Sequence, residues 1–366
     1  TVGDGVDKLI LNANTDALKQ MEITSILVKE RFQGDRDMII LDADEVFAHE
    51  HETVCECMGG LEPSHSYAMK ALSSGKHYVT SNKAMVATFY EELITTAEKN
   101  NVQILFEAAV GGGIPWMINL QQAKQVDALT GFRGIFNGTT NYILDKMTRE
   151  GTEFDIALKE AQSLGYAERD PSADIDGDDV KYKCCLSAHM AFDTSVDLNK
   201  ITTMGIRYIT AKDIDYAKSV GKTIRLIGKG ELVDNDLNIY VQPEMIDDHE
   251  VLANILLNYN AVILENDSLT NTTLIGQGAG KNPTANAVVS DLVHLQNKER
   301  IMPTIKNHFE IKNEVKRSYY VSGNDLSDFK EFIKEQITET SILTEPVSVK
   351  WISDIANRKG LFVAGI

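Results

Sequence analysis

The sequence predicts an α/β protein that begins with a doubly wound, mostly parallel sheet. Short β-rich runs alternate with helical patterns over the first 110 residues, as they do in successive βα units. The β-rich runs are ITSILV (23–28), DMIIL (37–41), TVCECM (53–58), HYVTS (77–81) and VQILFEAAV (102–110). Amphipathic stretches at 63–75 and 87–101 separate the later runs. This alternation is typical of a Rossmann-type sheet with helices on both faces.

The opening hexapeptide TVGDGV has the form of the second half of a phosphate-binding turn. A Gly-x-Gly pair is weak evidence by itself, and a flexible terminus is the alternative interpretation. In a doubly wound sheet, however, Gly3 lies where the helix after the dinucleotide loop should begin, and a helical pattern runs from Val6 to about Gln20. We therefore expect the first strand upstream of Thr1, within roughly 8–12 residues.

Composition indicates an ordinary globular protein of two or three domains. The 366 residues are 43% hydrophobic and 25% charged. A net charge of −18 without a basic run disfavours nucleic acids and anionic membrane surfaces as partners. The cysteines occur as Cys55-x-Cys57 and Cys184-Cys185, which is not a zinc-site spacing, so we expect reduced thiols and a cytoplasmic location. No apolar run approaches the roughly 18 residues of a membrane span.

The pattern of predicted helices and strands changes after the glycines at 111–113, and a second α+β domain is expected. Its helical patterns lie around 139–150, 153–165 and 178–192, and its strand-like runs are LNIYVQPEM (237–245) and NAVILEN (260–266). From about residue 302 a small third α+β module is predicted, with a truncated ACT-like fold as one interpretation. Its runs are strand-like SYYVSG (318–323), helical DLSDFKEFIKEQI (325–337) and VSVKWIS (347–353).

The stretch GYAERDPSADIDGDDVKYKCCL (165–186) contains the largest group of candidate catalytic and substrate-binding side chains. Asp179 and Lys183 are four residues apart and share a face if the segment is helical. A solvated ion pair is the simple alternative, but the same face continues through Leu186 and Met190, which places the pair at a buried rim. Glu168 adds a carboxylate of the kind that holds an ammonium group, so an amino-bearing substrate is one possibility for this site.

Three further motifs carry candidate ligand groups. In FEAAVGGGIP (106–115), Glu107 and glycine-rich carbonyls could hold a hard cation, although a tight strand-to-helix turn explains the pattern too. FNGTTNYIL (136–144) begins a helix whose free N–H groups suit an anion, or are simply capped. Lys83 in TSNKAM follows the fourth strand, at the carboxyl edge where open α/β sheets bind ligands.

Taken together, these motifs resemble homoserine dehydrogenase in order and spacing over roughly residues 1–295. The segments that carry the resemblance are ECMGGLEPSH, GKHYVTSNKAM, EAAVGGGIP, FNGTTNYILDKM, EAQSLGYAERDPSADIDGDDVKYK and GQGAGKNPTANAVVSDL. The resemblance implies the reversible NAD- or NADP-dependent interconversion of L-homoserine and L-aspartate 4-semialdehyde, in the biosynthesis of threonine and methionine. It also implies a homodimer built through the second domain.

The resemblance further implies residue roles. Lys183 would give and accept the proton at the substrate oxygen, with Lys83 close to that oxygen and the cofactor. Glu168 and Asp179 would bind the substrate's amino group. The residues expected at the cofactor are Thr1, Val2, Gly3, Lys29, Lys83, Gly165 and Gly278. The residues expected at a structural sodium ion are Glu107, Val110, Gly112 and Ile114.

The resemblance also suggests how the chain divides. We expect a dinucleotide-binding domain at 1–110, with 277–300 packing back on it, a substrate and dimerisation domain at 111–276, and the small module at 301–366. Lys29-Glu30-Arg31 offers a carboxylate for a ribose hydroxyl and two cations for a 2′-phosphate, which favours NADP. A reductase of another amino-acid semialdehyde and a catalytically silent nucleotide or amino-acid sensor remain the alternatives.

Overall fold

A computed structural model describes residues 1–30 and 38–366. These residues form two compact units, which we call unit 1 and unit 2. Unit 1 comprises Thr1–Pro115 and Gly280–Thr304, and unit 2 comprises Trp116–Ala279 and Ile305–Ile366. Within the described ranges, every helix is too short or too polar to cross a membrane.

Unit 1 is built from short parallel strands and amphipathic helices, numbered here in chain order. The strands are β1 (Ile26–Leu27), β2 (Ile39–Ile40), β3 (Thr53–Glu56), β4 (His77–Thr80) and β5 (Ile104–Leu105). The helices are α1 (Val2–Leu11), α2 (Ala43–Ala48), α3 (Ser64–Ser73), α4 (Lys83–Thr88), α5 (Tyr90–Lys99) and, after the first segment of unit 2, α12 (Lys281–Gln296). Strands β1 and β2 pair in parallel, and β3, β4 and β5 form a second parallel sheet in that order. The Rossmann-type α/β prediction is confirmed.

Helix α1 differs from its predicted limits. It begins at Val2, because the Thr1 hydroxyl accepts a hydrogen bond from the Asp4 amide at 3.2 Å and caps the first turn. It ends at Leu11, where the Asn12 side chain donates to the Lys8 carbonyl at 2.9 Å. The remainder of the predicted helix contains only a short 3₁₀ turn, Leu18–Gln20.

Unit 2 contains a large mixed sheet with helices against it. Its helices are α6 (Trp116–Ala123), α7 (Gly138–Glu150), α8 (Phe154–Ser163), α9 (Ser172–Ile175), α10 (Asp178–Phe192), α11 (Ala211–Ser219) and α13 (Val349–Lys359). Its strands are β6 (Leu129–Ile135), β7 (Thr202–Thr203), β8 (Lys222–Val233), β9 (Asp236–Asp247), β10 (Tyr259–Asn266), β11 (Thr270–Gln277), β12 (Lys316–Arg317), β13 (Tyr319–Ser322), β14 (Ile333–Thr338), β15 (Ser341–Thr344), β16 (Val347–Ser348) and β17 (Phe362–Gly365). The main sheet has the order β11-β10-β6-β8-β9-β17-β13-β15-β14, with β7 beside β9.

The C-terminal segment is part of unit 2, whereas the sequence suggested a separate module. Strand β17 pairs in parallel with β9 through Gly365 and Glu244, so the segment extends the main sheet. The likeness of this segment to an ACT module stays a prediction. Segment 280–304, by contrast, belongs to unit 1.

One element of this segment has the opposite type from the one predicted. The helix expected over 325–337 is a 3₁₀ turn at Ser327–Phe329 followed by β14, because pairing with β15 outweighs the local helical pattern. The run at 347–353, to which the sequence assigned no element type, contains β16 and then α13, which begins at Val349. Its first turn is capped by Ser348, whose hydroxyl accepts from the Trp351 amide at 3.1 Å.

Candidate active site

Lys183 and Asp179 form an ion pair on one face of α10, as their spacing predicts. The Nζ atom of Lys183 donates to Oδ2 of Asp179 at 2.7 Å and to the carbonyl oxygen of Phe136 at 2.6 Å. Lys183 is only 8% exposed, and the helix beyond it is buried through Phe192. The ammonium group is therefore held in place by two acceptors and largely shielded from water.

Asn137 joins this pair to a second carboxylate. Its Oδ1 caps α7 by accepting from the Thr140 amide at 2.8 Å. Its Nδ2 donates to Oδ2 of Asp179 at 2.9 Å and to Oδ1 of Asp174 at 2.6 Å. Burial raises the pKa of Asp174. We call Asn137, Asp174, Asp179 and Lys183 the lysine cluster.

The sequence did not single out Asn137 and Asp174 for roles at this site. Asn137 is visible in the sequence only as part of a helix-start motif, and Asp174 as one carboxylate among several. The one available signal was that FNGTT and the acidic segment at 168–179 both contain polar side chains without an obvious structural role. Pairing them requires the fold, since Asn137 and Asp174 are 37 residues apart.

Glu168 and Gly165 lie on the loop that follows α8. The Thr139 hydroxyl donates to the Tyr166 carbonyl at 2.6 Å, which ties this loop to the start of α7. Gly165 has a φ of +77°, a conformation that favours glycine, and Gln162 donates to the Glu168 carbonyl at 3.0 Å. The Glu168 side chain is exposed, and in the described part of the chain its carboxylate makes no hydrogen bond to the lysine cluster.

In unit 1, Lys83 is the first residue of α4, directly beyond the carboxyl end of β4. Asn82 caps this helix by accepting from the Met85 amide at 3.1 Å, and its Nδ2 donates to the Gly60 carbonyl at 2.6 Å. The Thr80 hydroxyl donates to the buried carboxylate of Glu56, at the end of β3, at 2.7 Å. These bonds fix the carboxyl ends of β3 and β4, so the backbone that carries half-buried Lys83 is held in place.

The start of α1 leaves room for a ligand. A Cβ atom added at Gly3 would meet nothing closer than Cβ of Cys57 at 3.9 Å. At Gly5 the same atom would lie 2.7 Å from Cβ of Ala285, so Gly5 allows α1 to pack closely on α12. An open helix start of this kind fits a dinucleotide phosphate. Lys29 lies exposed just beyond β1, and Arg31 falls outside the described residues.

Glu107 lies in a turn whose residues are mostly buried. It is 5% exposed, and its amide donates to Oδ2 of Asp291 at 3.0 Å. Gly111 and Gly112 have φ values of +82° and +57°, which turn their peptide groups in directions that other residues rarely allow. Burial and the neighbouring Glu107 raise the pKa of Asp291 well above its usual range.

This turn fits a hard cation, since two carboxyl groups are buried here beside backbone oxygens. Among the described residues, no three His, Cys, Asp or Glu side chains converge as a metal site would require. A cation at this turn would therefore be held mainly by carbonyl oxygens, together with Glu107.

Comparison with known proteins decides the family. The model of the homoserine dehydrogenase family matches residues 115–293, and the model of the homoserine dehydrogenase NAD-binding domain matches residues 2–107. The homoserine dehydrogenase of Bacillus subtilis is 37% identical over 311 residues, which cover 82% of this chain and 72% of that protein. The chain belongs to the homoserine dehydrogenase family. It is thus an NAD(P)-dependent oxidoreductase of aspartate-family amino-acid biosynthesis and acts on a small-molecule substrate.

Solved structures of homoserine dehydrogenases have the same fold. The crystal structure from Thiobacillus denitrificans aligns with a TM-score of 0.88 at 28% identity, and the match covers 100% of this chain and 95% of that one. A hyperthermophilic archaeal homoserine dehydrogenase mutant in complex with NADPH aligns with a TM-score of 0.60 at 28% identity, covering 68% of this chain and 72% of that one.

Proposed function

We propose that Lys183 moves the proton in the interconversion of L-homoserine and L-aspartate 4-semialdehyde. The observation that carries this assignment is the placement of its Nζ atom, which is 8% exposed and held between Asp179 and the Phe136 carbonyl. The chemistry that a bound nicotinamide cofactor supplies is hydride transfer. The chain itself must orient the substrate, stabilise charge at the substrate oxygen and move one proton.

Each remaining polar residue has one task in this proposal. When homoserine is oxidised, Lys183 accepts the hydroxyl proton, and in the reverse direction it returns that proton to the carbonyl oxygen. Asp179 orients Lys183 and, with Glu168, binds the substrate's amino group. Lys83 stabilises negative charge on the same oxygen. Asn137 holds the Asp179 carboxylate in position to accept from Lys183, through the 2.9 Å hydrogen bond from its Nδ2 atom.

A substrate panel tests this function directly. Change in the nicotinamide absorbance band is followed with homoserine, serine and threonine, and in reverse with aspartate 4-semialdehyde. We expect turnover with homoserine and its semialdehyde, and little with serine or threonine. Tight cofactor binding without turnover of any of these substrates would instead identify a sensor.

We propose NADP as the preferred cofactor, held by Thr1, Val2, Gly3, Lys29, Lys83, Gly165 and Gly278. The match of the NAD-binding family model over residues 2–107 and the open start of α1 support a dinucleotide at this edge. Lys29 is an exposed cation just past β1, which suits a 2′-phosphate. The archaeal relative described above was solved with NADPH, which supports the same preference.

We propose a structural Na⁺ held by Glu107 and by backbone oxygens of Val110, Gly112 and Ile114. Support comes from the buried Glu107, from the left-handed glycines that turn the backbone, and from the bond between the Glu107 amide and Asp291. A cation there would offset negative charge that is otherwise expensive to bury.

We also propose a cytoplasmic homodimer formed through unit 2. Strand β11 is at the edge of the main sheet and carries Ile275, which is 55% exposed, so a second copy could pair with this edge and cover Ile275. All four cysteines are free, as a reducing compartment would allow. Light scattering of the full chain and of Ile275→Lys tests the dimer, since a monomeric wild type would refute it.

A further inference from the structure

Asn260, near the start of β10, has a side chain that the fold leaves without hydrogen bonds. It is 1% exposed, and within the described residues neither its Nδ2 nor its Oδ1 atom has a partner. Buried amides are nearly always bonded, and a stranded one destabilises the folded chain. The residues that follow it, Ala261–Leu264, are buried and apolar. A polar side chain at this position therefore calls for an explanation.

The neighbour of this amide is the backbone of Gly278. A Cβ atom added at Gly278 would lie 1.9 Å from Nδ2, 2.1 Å from Cγ and 2.6 Å from Oδ1 of Asn260. The carboxamide thus occupies the position that a Cβ atom would take at residue 278, so only glycine fits there. Gly278 follows directly on β11, and the chain passes into unit 1 two residues later, at Gly280.

We propose that Asn260 is a positioning residue for the nicotinamide cofactor, whose carboxamide bonds the backbone of Gly278 and Ala279 in the cofactor-bound protein. The inference rests on the cofactor role proposed above for Gly278. Because the amide already lies against this backbone, a small rotation of the peptide groups at Gly278 would bring an N–H to Oδ1 and a carbonyl to Nδ2. Hydrogen bonds made only in the bound arrangement favour that arrangement and strengthen cofactor binding.

Asn266, at the other end of β10, is a matched contrast. It is also buried, at 5% exposed, but its Oδ1 accepts from the Leu269 amide at 2.9 Å and closes the turn to β11. Asn266 thus has a hydrogen-bonded structural task in the chain without ligand, whereas the Asn260 side chain makes no hydrogen bond within the described ranges. Replacing each by leucine, which branches at the same carbon and has no polar atom, should have opposite consequences.

The experiment measures two quantities on the full chain of the wild type, Asn260→Leu and Asn266→Leu. The first is Tm without cofactor, and the second is the Kd of NADPH and of NADH by fluorescence titration. For Asn260→Leu we expect an unchanged or higher Tm, because a buried amide without hydrogen bonds is removed. We also expect a Kd that is about tenfold to a hundredfold higher, because two hydrogen bonds of the bound state are lost. For Asn266→Leu we expect a lower Tm and an unchanged Kd.

Each other outcome overturns the inference. A wild-type Kd in Asn260→Leu shows that the amide takes no part in binding, while the proposed function stands. A Tm loss as large as that of Asn266→Leu shows a structural role. If Asn260→Leu does not fold, Asn260→Ala decides by the same two measurements, since it adds no bulk beside Gly278. Failure of the wild type to bind either cofactor refutes the proposed function as well.

Discussion

The Nζ atom of Lys183 lies 2.6 Å from the carbonyl oxygen of Phe136. This contact ties the candidate proton donor on α10 to the residue just before the cap of α7. A charge-assisted hydrogen bond of this kind fixes the direction of the ammonium group. The position of Lys183 therefore depends on two helices, and each can be perturbed separately.

Replacing Lys183 with methionine should abolish most turnover and leave the fold intact. Methionine fills a similar volume but cannot carry a proton, so we expect kcat to fall by about 10²- to 10⁴-fold. Lys181→Met, two residues earlier on the same helix, is the control and should keep kcat. The measurement is homoserine oxidation at saturating cofactor, with Kd for NADPH determined in parallel. Near-normal kcat in Lys183→Met would refute the assignment.

Two substitutions at Asn137 should separate its capping task from its bridging task. Serine is a good N-cap but cannot reach both carboxylates, so Asn137→Ser should hold stability to within about 1 kcal/mol and still lower kcat/KM. Asn137→Ala loses the cap too and should be destabilised by about a further 1 kcal/mol. Denaturant unfolding and homoserine kinetics check the two effects. Equal kcat/KM in Asn137→Ser and wild type would rule out the bridge.

The proposed cation site predicts a sodium effect on stability that depends on Glu107. We expect Na⁺ to raise the Tm of the wild type above that in choline chloride at equal ionic strength, because a ligand that binds only the folded state stabilises it. Glu107→Gln should lose this difference, and Glu98→Gln, an exposed change on α5, should keep it. If salt stabilises all three proteins equally, the segment is only a turn.

Buried His189 should make the fold sensitive to acid. Burial lowers its pKa from 6.5 to about 3, and its Nε2 accepts from the Val196 amide at 3.1 Å. Between these pH values His189 is protonated in the unfolded chain but not in the folded chain. The free energy of unfolding therefore decreases by about 1.4 kcal/mol for each unit that the pH falls. His189→Gln keeps an acceptor and should show a shallower slope between pH 6 and 4 in urea unfolding. Parallel slopes for the two proteins would contradict this origin.

Lys29 should contribute to the choice between NADP and NAD. Removing one exposed cation from a 2′-phosphate site should lower the ratio of kcat/KM for NADPH over NADH by about three- to tenfold. Lys29→Ala is compared with Lys19→Ala, another exposed lysine of unit 1. A wild type that prefers NADH, or an unchanged ratio in Lys29→Ala, would refute the role.

Local spacing in the sequence was enough to predict several features of this protein. The period of apolar residues located α7, α8 and α10 closely, and four-residue spacing placed Asp179 and Lys183 on one helical face because the pitch of a helix fixes that distance. The alternation of strands and helices gave the fold class for the same reason. The joint set of motifs gave the family, which the comparisons confirmed.

Contacts between residues far apart in the sequence emerge only in the folded chain. Asn137 bonds to Asp174 across 37 residues, and the Glu107 amide bonds to Asp291 across 184 residues. Neither contact can be predicted from the local periodicity of the sequence. Segment 333–338 became β14 because an open sheet edge beside β15 offered backbone partners that a helix there could not use. Asn260 reads as one polar residue in an apolar strand, and its stranded amide emerges only when β10 and Gly278 are packed together. Local sequence fixes dihedral preferences and faces, whereas burial and pairing depend on the whole chain.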